Sequence, residues 1–116
     1  MVRICVIGAG PAGIITAKLC IEAGYEVKVY EQEAAAGGVW LYSPDTNRHS
    51  AMYETLRTNI PKQIMAFPGI PYPKECPTFL TREMVLEYMQ VSRIVNDTRK
   101  KKKLFEIVLN NFLLSS

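Results

Sequence analysis

Apolar positions near the N-terminus follow a run, a break, a helical stripe and an alternation. Val2 to Ile7 (VRICVI) is a short β-branched run that suits a buried parallel strand. Gly8 to Gly13 breaks the run, and Pro11 falls where the first turn of a helix tolerates a missing N–H. Ile14, Ala17, Leu19, Cys20 and Ala23 give that helix an apolar face, and Gly24 supplies its C-terminal stop. Glu26 to Glu31 (EVKVYE) then alternates as a second strand, with Val27 and Val29 on one face. Residues 2–31 are therefore predicted to form a β-α-β unit with a right-handed crossover.

Regularity weakens beyond this unit. Residues 32–60 contain the Gly37-Gly38 pair and a polar loop from Ser43 to Ser50, and residues 61–77 hold five of the seven prolines. Each proline removes a donor and restricts its neighbour, so regular structure there must be short. Thr81 is placed as a helix N-cap with Glu83 in the first turn, and Val85, Tyr88, Met89 and Ser92 trace the following stripe. From about Val95 the pattern gives way to a basic run, Arg99 to Lys103, and an apolar piece, Leu104 to Leu114. The predicted class is α/β. Residues 1–90 form the N-terminal part of a Rossmann-like domain, and residues 91–116 form a divergent tail.

Composition narrows the function classes. The 116 residues are 48% hydrophobic and 22% charged, which fits one globular domain and excludes low-complexity or collagen-like chains. No apolar run approaches the ~18–20 residues of a membrane span, and no secretory leader is expected. Three widely spaced cysteines, Cys5, Cys20 and Cys76, argue against a disulfide framework or a zinc site and suit a reducing, cytoplasmic setting. The net charge of +3 comes from the basic run, because residues 1–98 carry nine basic and ten acidic side chains. That run reads as a solvated surface segment, and nothing near it adds the aromatic interleaving of a nucleic-acid site. Oligomeric state leaves no signature in the sequence.

The chemistry begins at IGAGPAG, residues 7–13, where Gly8, Gly10 and Gly13 take the GxGxxG arrangement around Pro11 and Ala12. Gly8 permits a tight exit from the strand, Gly10 lets backbone approach a pyrophosphate, and Gly13 permits close helix–strand packing. The helix N-terminus offers N–H groups to phosphates. Glu31, at the end of the second strand, is spaced to accept hydrogen bonds from a ribose diol. Gln32 and Glu33 give no cation for a 2′-phosphate, so NADP is disfavoured at this loop and FAD and NAD remain.

A second constellation separates those two. Glu31 is followed by QEAAAGGVW and then by YETLRTNIPKQIMAFPGIPYP, with Tyr53, Leu56, Thr58, Asn59, Lys62, Met65, Phe67, Pro68 and Pro71 in series. The combination resembles the N-terminal region of flavin-containing monooxygenases over roughly residues 2–90. Phe79, Leu80, Thr81, Arg82, Val85, Leu86 and Tyr88 continue the likeness. Gly69 departs from it, since the family usually carries an acid there.

The resemblance implies FAD as the bound cofactor, with NADPH as the reductant of a monooxygenase acting on soft nucleophilic nitrogen or sulfur in small molecules. It also implies association of full-length relatives with the endoplasmic reticulum. Gly8, Gly10, Pro11, Ala12, Gly13, Glu31, Gly37, Gly38, Val39, Trp40, Thr58 and Asn59 are its expected cofactor-binding residues. Asn59 is its expected catalytic residue, an amide that donates to reduced oxygen without offering an acid to expel hydrogen peroxide. The NADPH-binding glycine loop of the family has no counterpart here, because the last glycine is Gly69. The other readings of these residues are a dinucleotide-binding module without turnover and an NAD-binding fragment of a different flavoprotein oxidoreductase, such as a disulfide reductase, against which the absent CxxxxC pair counts.

Other polar residues carry milder expectations. His49 reads as a loop residue, and no metal site is expected. Lys62 could meet a phosphate or a surface carboxylate. Arg82 and Glu83 read as helix-surface charges, and Met52, Met65, Met84 and Met89 as packing.

Overall fold

A computed structural model describes residues 2–45, 52–90 and 105–109. His49, Ser92, the end of the polar loop and the basic run lie outside the described residues. Strand β1 (Arg3–Ile7), helix α1 (Pro11–Glu22) and strand β2 (Glu26–Glu31) form the predicted unit. The strands pair in parallel, with Ile4 opposite Val27 and Val6 opposite Val29. A third strand, β3 (Phe105–Leu109), pairs in parallel with the other side of β2, giving the order β1-β2-β3.

One face of this sheet packs on α1. Val6, Val27 and Val29 meet Ala17 and Ile21 in a single buried cluster with Ala9. The face of α1 differs from the expected one. Ile14, Ala17 and Ile21 are buried, whereas Leu19 is 57% exposed and Ala23 is exposed as the C-cap. Helical geometry explains the exchange: 14, 17 and 21 follow the i, i+3, i+7 rows of one stripe, and 19 lies off it. β1 also differs from the expected buried strand. Only Val6 is buried, and Ile7 is 89% exposed, because α1 covers a single face.

The helix ends obey local rules. Gly10 is the N-cap, with Pro11 in the first turn. At the other end Gly24 has φ +91°, its N–H donates to Ile21 O at 2.9 Å, and the Tyr25 N–H donates to Cys20 O at 3.0 Å. This is a Schellman termination around a left-handed glycine.

The remaining described chain wraps a second core. After a 3-10 turn at Gly38–Trp40 come a one-turn helix α2 (Lys62–Met65) and helix α3 (Arg82–Gln90). Ile14 from α1 joins Ile70, Tyr72, Leu80, Val85 and Met89, with Trp40, Met65, Phe67 and Met84 packed around them. Thr81 caps α3 as expected, accepting from the Met84 N–H at 3.3 Å. Pro68 and Gly69 occupy the centre of a turn closed by Ile70 N–H donating to Phe67 O at 3.0 Å. Gly69 has φ +77°, as the third position of a type II turn requires. The departure at Gly69 is thus a turn that glycine makes without strain.

Candidate functional site

The glycine loop owes its shape to two contacts inside the chain. Gly8 leaves β1 at φ +99°, and its N–H donates to Tyr30 O at 2.7 Å, joining the loop to β2. A Cβ built on Gly13 would lie 1.8 Å from the Gly8 carbonyl oxygen, so α1 passes too close for any side chain. Gly10 is different. Its φ of −79° is open to any residue, and a Cβ there would meet only Gly38 Cα, at an ordinary 3.6 Å. The described protein leaves room at Gly10 that a ligand's pyrophosphate can use.

The N-terminus of α1 is electrostatically unanswered. Gly10 has no side chain to cap it, and the first turn around Pro11, Ala12 and Gly13 carries no acid. Such an end directs unpaired N–H groups and the positive end of the helix dipole at whatever lies before it. The arrangement fits a phosphate.

Glu31 comes to this loop across 22 residues. One carboxylate oxygen accepts from the Ala9 N–H at 2.6 Å and the other from the Glu33 N–H at 2.9 Å. The residue is buried apart from 7% of its surface. Each carboxylate oxygen still has capacity for a second donor, so the group can hold the loop and accept from a diol together.

Gly37 and Gly38 return across the loop, and the two glycines answer to different neighbours. The Gly37 N–H donates to Ala9 O at 2.9 Å. A Cβ on Gly37 would lie 2.5 Å from Leu86 Cδ1, and one on Gly38 would lie 2.9 Å from Gly10 Cα. Both have positive φ, +139° and +58°. Beyond them Val39 is exposed, and Trp40 packs half-buried against the second core.

Asn59 lies in a strand-like segment clamped by α3's approach. Arg57 and Thr81 form an antiparallel bridge, the Thr58 N–H donates to Leu80 O at 2.9 Å, and the Arg82 N–H donates to Leu56 O at 3.1 Å. Thr58 is buried, and its hydroxyl accepts from the Leu80 N–H and donates to Ile60 O, both at 3.0 Å. Thr58 therefore spends its hydroxyl on the fold. Asn59 next to it is exposed, with no side-chain hydrogen bond among the described residues.

Two expectations fail here. Lys62 faces no carboxylate among the described residues: its ammonium donates to the carbonyls of Pro73 at 3.2 Å, Lys74 at 3.3 Å and Cys76. Three converging carbonyls match its three N–H donors. Arg82 is not a surface charge. It is 8% exposed, pairs with Glu83 at 2.7 Å and stands 4.4 Å over the Tyr42 ring. Nothing in the local sequence signals either partner, since they arrive from 11–14 and 40 residues away.

A separate pocket of about 210 Å³ is lined by Ile70, Tyr72, Cys76, Met84, Glu87 and Tyr88, away from the glycine loop in sequence and fold. Tyr72 stacks on Tyr88 at 3.9 Å, and its buried hydroxyl has no hydrogen-bond partner among the described residues. Burial pushes that hydroxyl far above the ordinary tyrosine range, and Tyr88 and Cys76 add to it. The Tyr88 hydroxyl donates to Ile70 O at 2.6 Å and accepts from the Phe67 N–H at 2.9 Å, closing the turn from outside. Among the described residues no cluster of His, Cys, Asp and Glu could hold a metal ion, and no helix is long and apolar enough to cross a membrane.

Comparison with known proteins agrees with this geometry. The sequence model of the family described as "FMO-like: Flavin-binding monooxygenase-like" matches residues 1–109, continuing through β3 beyond the likeness read up to Gln90. Flavin-containing monooxygenase 3 of Canis lupus familiaris is 33% identical over 90 residues, 77% of this chain and 17% of that protein. Flavin-containing monooxygenase FMO GS-OX3 of Arabidopsis thaliana is 38% identical over 82 residues, 60% of this chain and 18% of the relative. The chain thus spans about a sixth of the length of these curated relatives. Among solved structures, S-allyl-L-cysteine S-oxygenase from Allium sativum superposes with a TM-score of 0.72 at 26% identity, over 90% of this chain and 27% of that one. OTEMO, solved as a complex with FAD and NADP, gives a TM-score of 0.60 at 26% identity, over 89% of this chain and 18% of that one.

Proposed function

The chain belongs to the flavin-binding monooxygenase-like family, and on that premise we propose that its glycine loop binds FAD as part of an NADPH-using monooxygenase. The substrates of that enzyme are small molecules with soft nucleophilic nitrogen or sulfur. FAD is what the relatives' names and the complexed neighbour support at this loop, and the lack of a cation beside Glu31 speaks against a 2′-phosphate there.

One observation carries the reading: the uncapped N-terminus of α1 opens directly beside a glycine-loop N–H held by Glu31. Gly8 and Gly13 shape the loop, Gly10 leaves space for the pyrophosphate, and the first turn at Pro11 and Ala12 directs N–H groups to it. Glu31 orients the ribose. Gly37, Gly38, Val39 and Trp40 cover the loop, and Thr58 holds the backbone from which Asn59 projects. Bound FAD supplies the redox and oxygen chemistry. Asn59 donates a neutral hydrogen bond toward the reacting oxygen and provides no acid.

Within residues 1–116 no glycine follows Gly69, so the second glycine loop of the proposed enzyme would lie outside this stretch, and the stretch by itself is expected to bind FAD weakly without turning over NADPH. A cytoplasmic setting suits the three free cysteines. Titration of the purified chain with FAD, NAD and NADP separates the alternatives. FAD should bind, Glu31→Gln should weaken it about tenfold or more, as loss of a charge-assisted contact does, and NADPH consumption with a tertiary amine or thioether should stay at the level of free flavin. Preferential binding of NADP would overturn the assignment. Tight stoichiometric FAD without turnover would favour the non-catalytic binding module.

A further inference from the structure

One face of α3 grips the segment that crosses the glycine loop. Arg82, Leu86 and Gln90 are spaced four residues apart and share a stripe. The Arg82 guanidinium stacks over the Tyr42 ring at 4.4 Å. Leu86 Cδ1 stands where a side chain on Gly37 would point. The Gln90 amide donates to Ala36 O at 2.7 Å. The three contacts therefore meet Ala36 and Gly37 at the beginning of residues 36–42 and Tyr42 at their end. The same segment touches the loop through the Gly37 N–H on Ala9 O and through Gly38 against Gly10. The glycine pair is thus packed between α3 and the loop.

Arg82 is costly at its position. It is buried, and among the described residues its charge is met by one carboxylate and one ring, and its Nε–H has no partner. An apolar chain of similar volume would fill the space without that penalty. What the guanidinium adds is direction, because it holds the Tyr42 ring at a fixed height and angle.

We propose that Arg82, Leu86 and Gln90 are positioning residues that set the height of Gly37–Trp40 over the glycine loop, and thereby set flavin affinity. The affinity arm of the proposal rests on the FAD reading above, whereas the positioning arm does not.

Trp40 is the single tryptophan of the chain and lies at the end of the positioned segment, so its fluorescence reports the segment directly. Arg82→Met and Gln90→Leu should each shift Trp40 emission and raise the FAD dissociation constant about fivefold, the scale of one exposed cation–π contact or one net hydrogen bond. The melting midpoint of Arg82→Met should hold or rise. Arg82→Lys, which keeps a cation for Tyr42, should recover most of both signals, and Glu87→Gln on the exposed face of the same helix should match the parent. Unchanged Trp40 emission and FAD affinity in both Arg82→Met and Gln90→Leu would overturn the proposal. So would a fall in affinity that tracks a fall in melting midpoint and is not recovered by Arg82→Lys. Should the parent chain bind no FAD, the FAD reading itself fails, and the Trp40 emission of the two variants still decides whether α3 positions the segment.

Discussion

Residues 2–31 and residues 52–90 are built on different principles. In the first, backbone pairs with backbone in a parallel ladder, and one helix covers one sheet face through Val6, Val27, Val29, Ala17 and Ile21. In the second, short pieces of chain are tied by single side chains that reach far along the sequence. The Lys62 ammonium holds three carbonyls at residues 73–76, the Thr58 hydroxyl closes onto Leu80, and the Tyr88 hydroxyl spans the turn from Phe67 to Ile70. The ladder spreads its stability over many equivalent bonds. The tied region concentrates it in a few, so its fragility lies at named atoms. The first region supplies Glu31 and the glycine loop of the candidate site, and the second carries Asn59, which is proposed to join them.

The contrast can be broken most forcefully in the first region. Gly13→Ala places a methyl group against the Gly8 backbone, and the cost should be about 3 kcal/mol or more, beyond ordinary overpacking because backbone must move. Urea denaturation followed by circular dichroism should show the β-α-β unit lost or its midpoint sharply lowered. A midpoint within experimental error of the parent would mean that the loop relaxes freely.

Alkaline pH should act on the second region. Burial raises the hydroxyls of Tyr72 and Tyr88 above the ordinary value of 10.0, with the Phe67 hydrogen bond partly offsetting it for Tyr88. Above pH 10 the unfolded chain releases these protons and the folded chain keeps them, so stability present below pH 10 declines as pH rises further. The tyrosinate absorbance of Tyr72 and Tyr88, read as the difference from a Tyr72→Phe/Tyr88→Phe variant, should appear together with loss of structure around α3.

Lys62→Met should cost about 1–2 kcal/mol, since the freed carbonyls at 73–76 regain water in place of the ammonium. Hydrogen exchange should accelerate at Cys76, Ala66 and Leu80 while the amides of β2 stay protected. Equal acceleration in β2 would show that the two regions unfold as one unit. Leu19→Gln should change stability by no more than about 0.5 kcal/mol, because Leu19 lies off the buried stripe of α1. A loss of 2 kcal/mol there would return Leu19 to the core.

The β-α-β unit was legible because its rules are local: β-branched runs, a proline at a helix start, a left-handed glycine at a helix end. That Gly8, Gly13 and Glu31 come together at one loop could be read from spacing alone, since strand–turn–helix geometry leaves few ways to place them. The Thr81 cap was readable for the same reason, whereas the turn at Pro68 and Gly69 emerged only from the structure. Helical spacing favours Ile21 over Leu19 beside Ile14 and Ala17, but local sequence could not show which stripe of α1 the sheet beneath would cover. Nor could it assign Lys62 to three carbonyls, Arg82 to the Tyr42 ring, or the Gly37-Gly38 pair to two different neighbours. Those partners lie tens of residues apart, and a charged or missing side chain carries no mark of what will stand opposite. Local sequence fixes which backbone conformations are cheap; tertiary packing alone decides which distant atoms those conformations bring within reach.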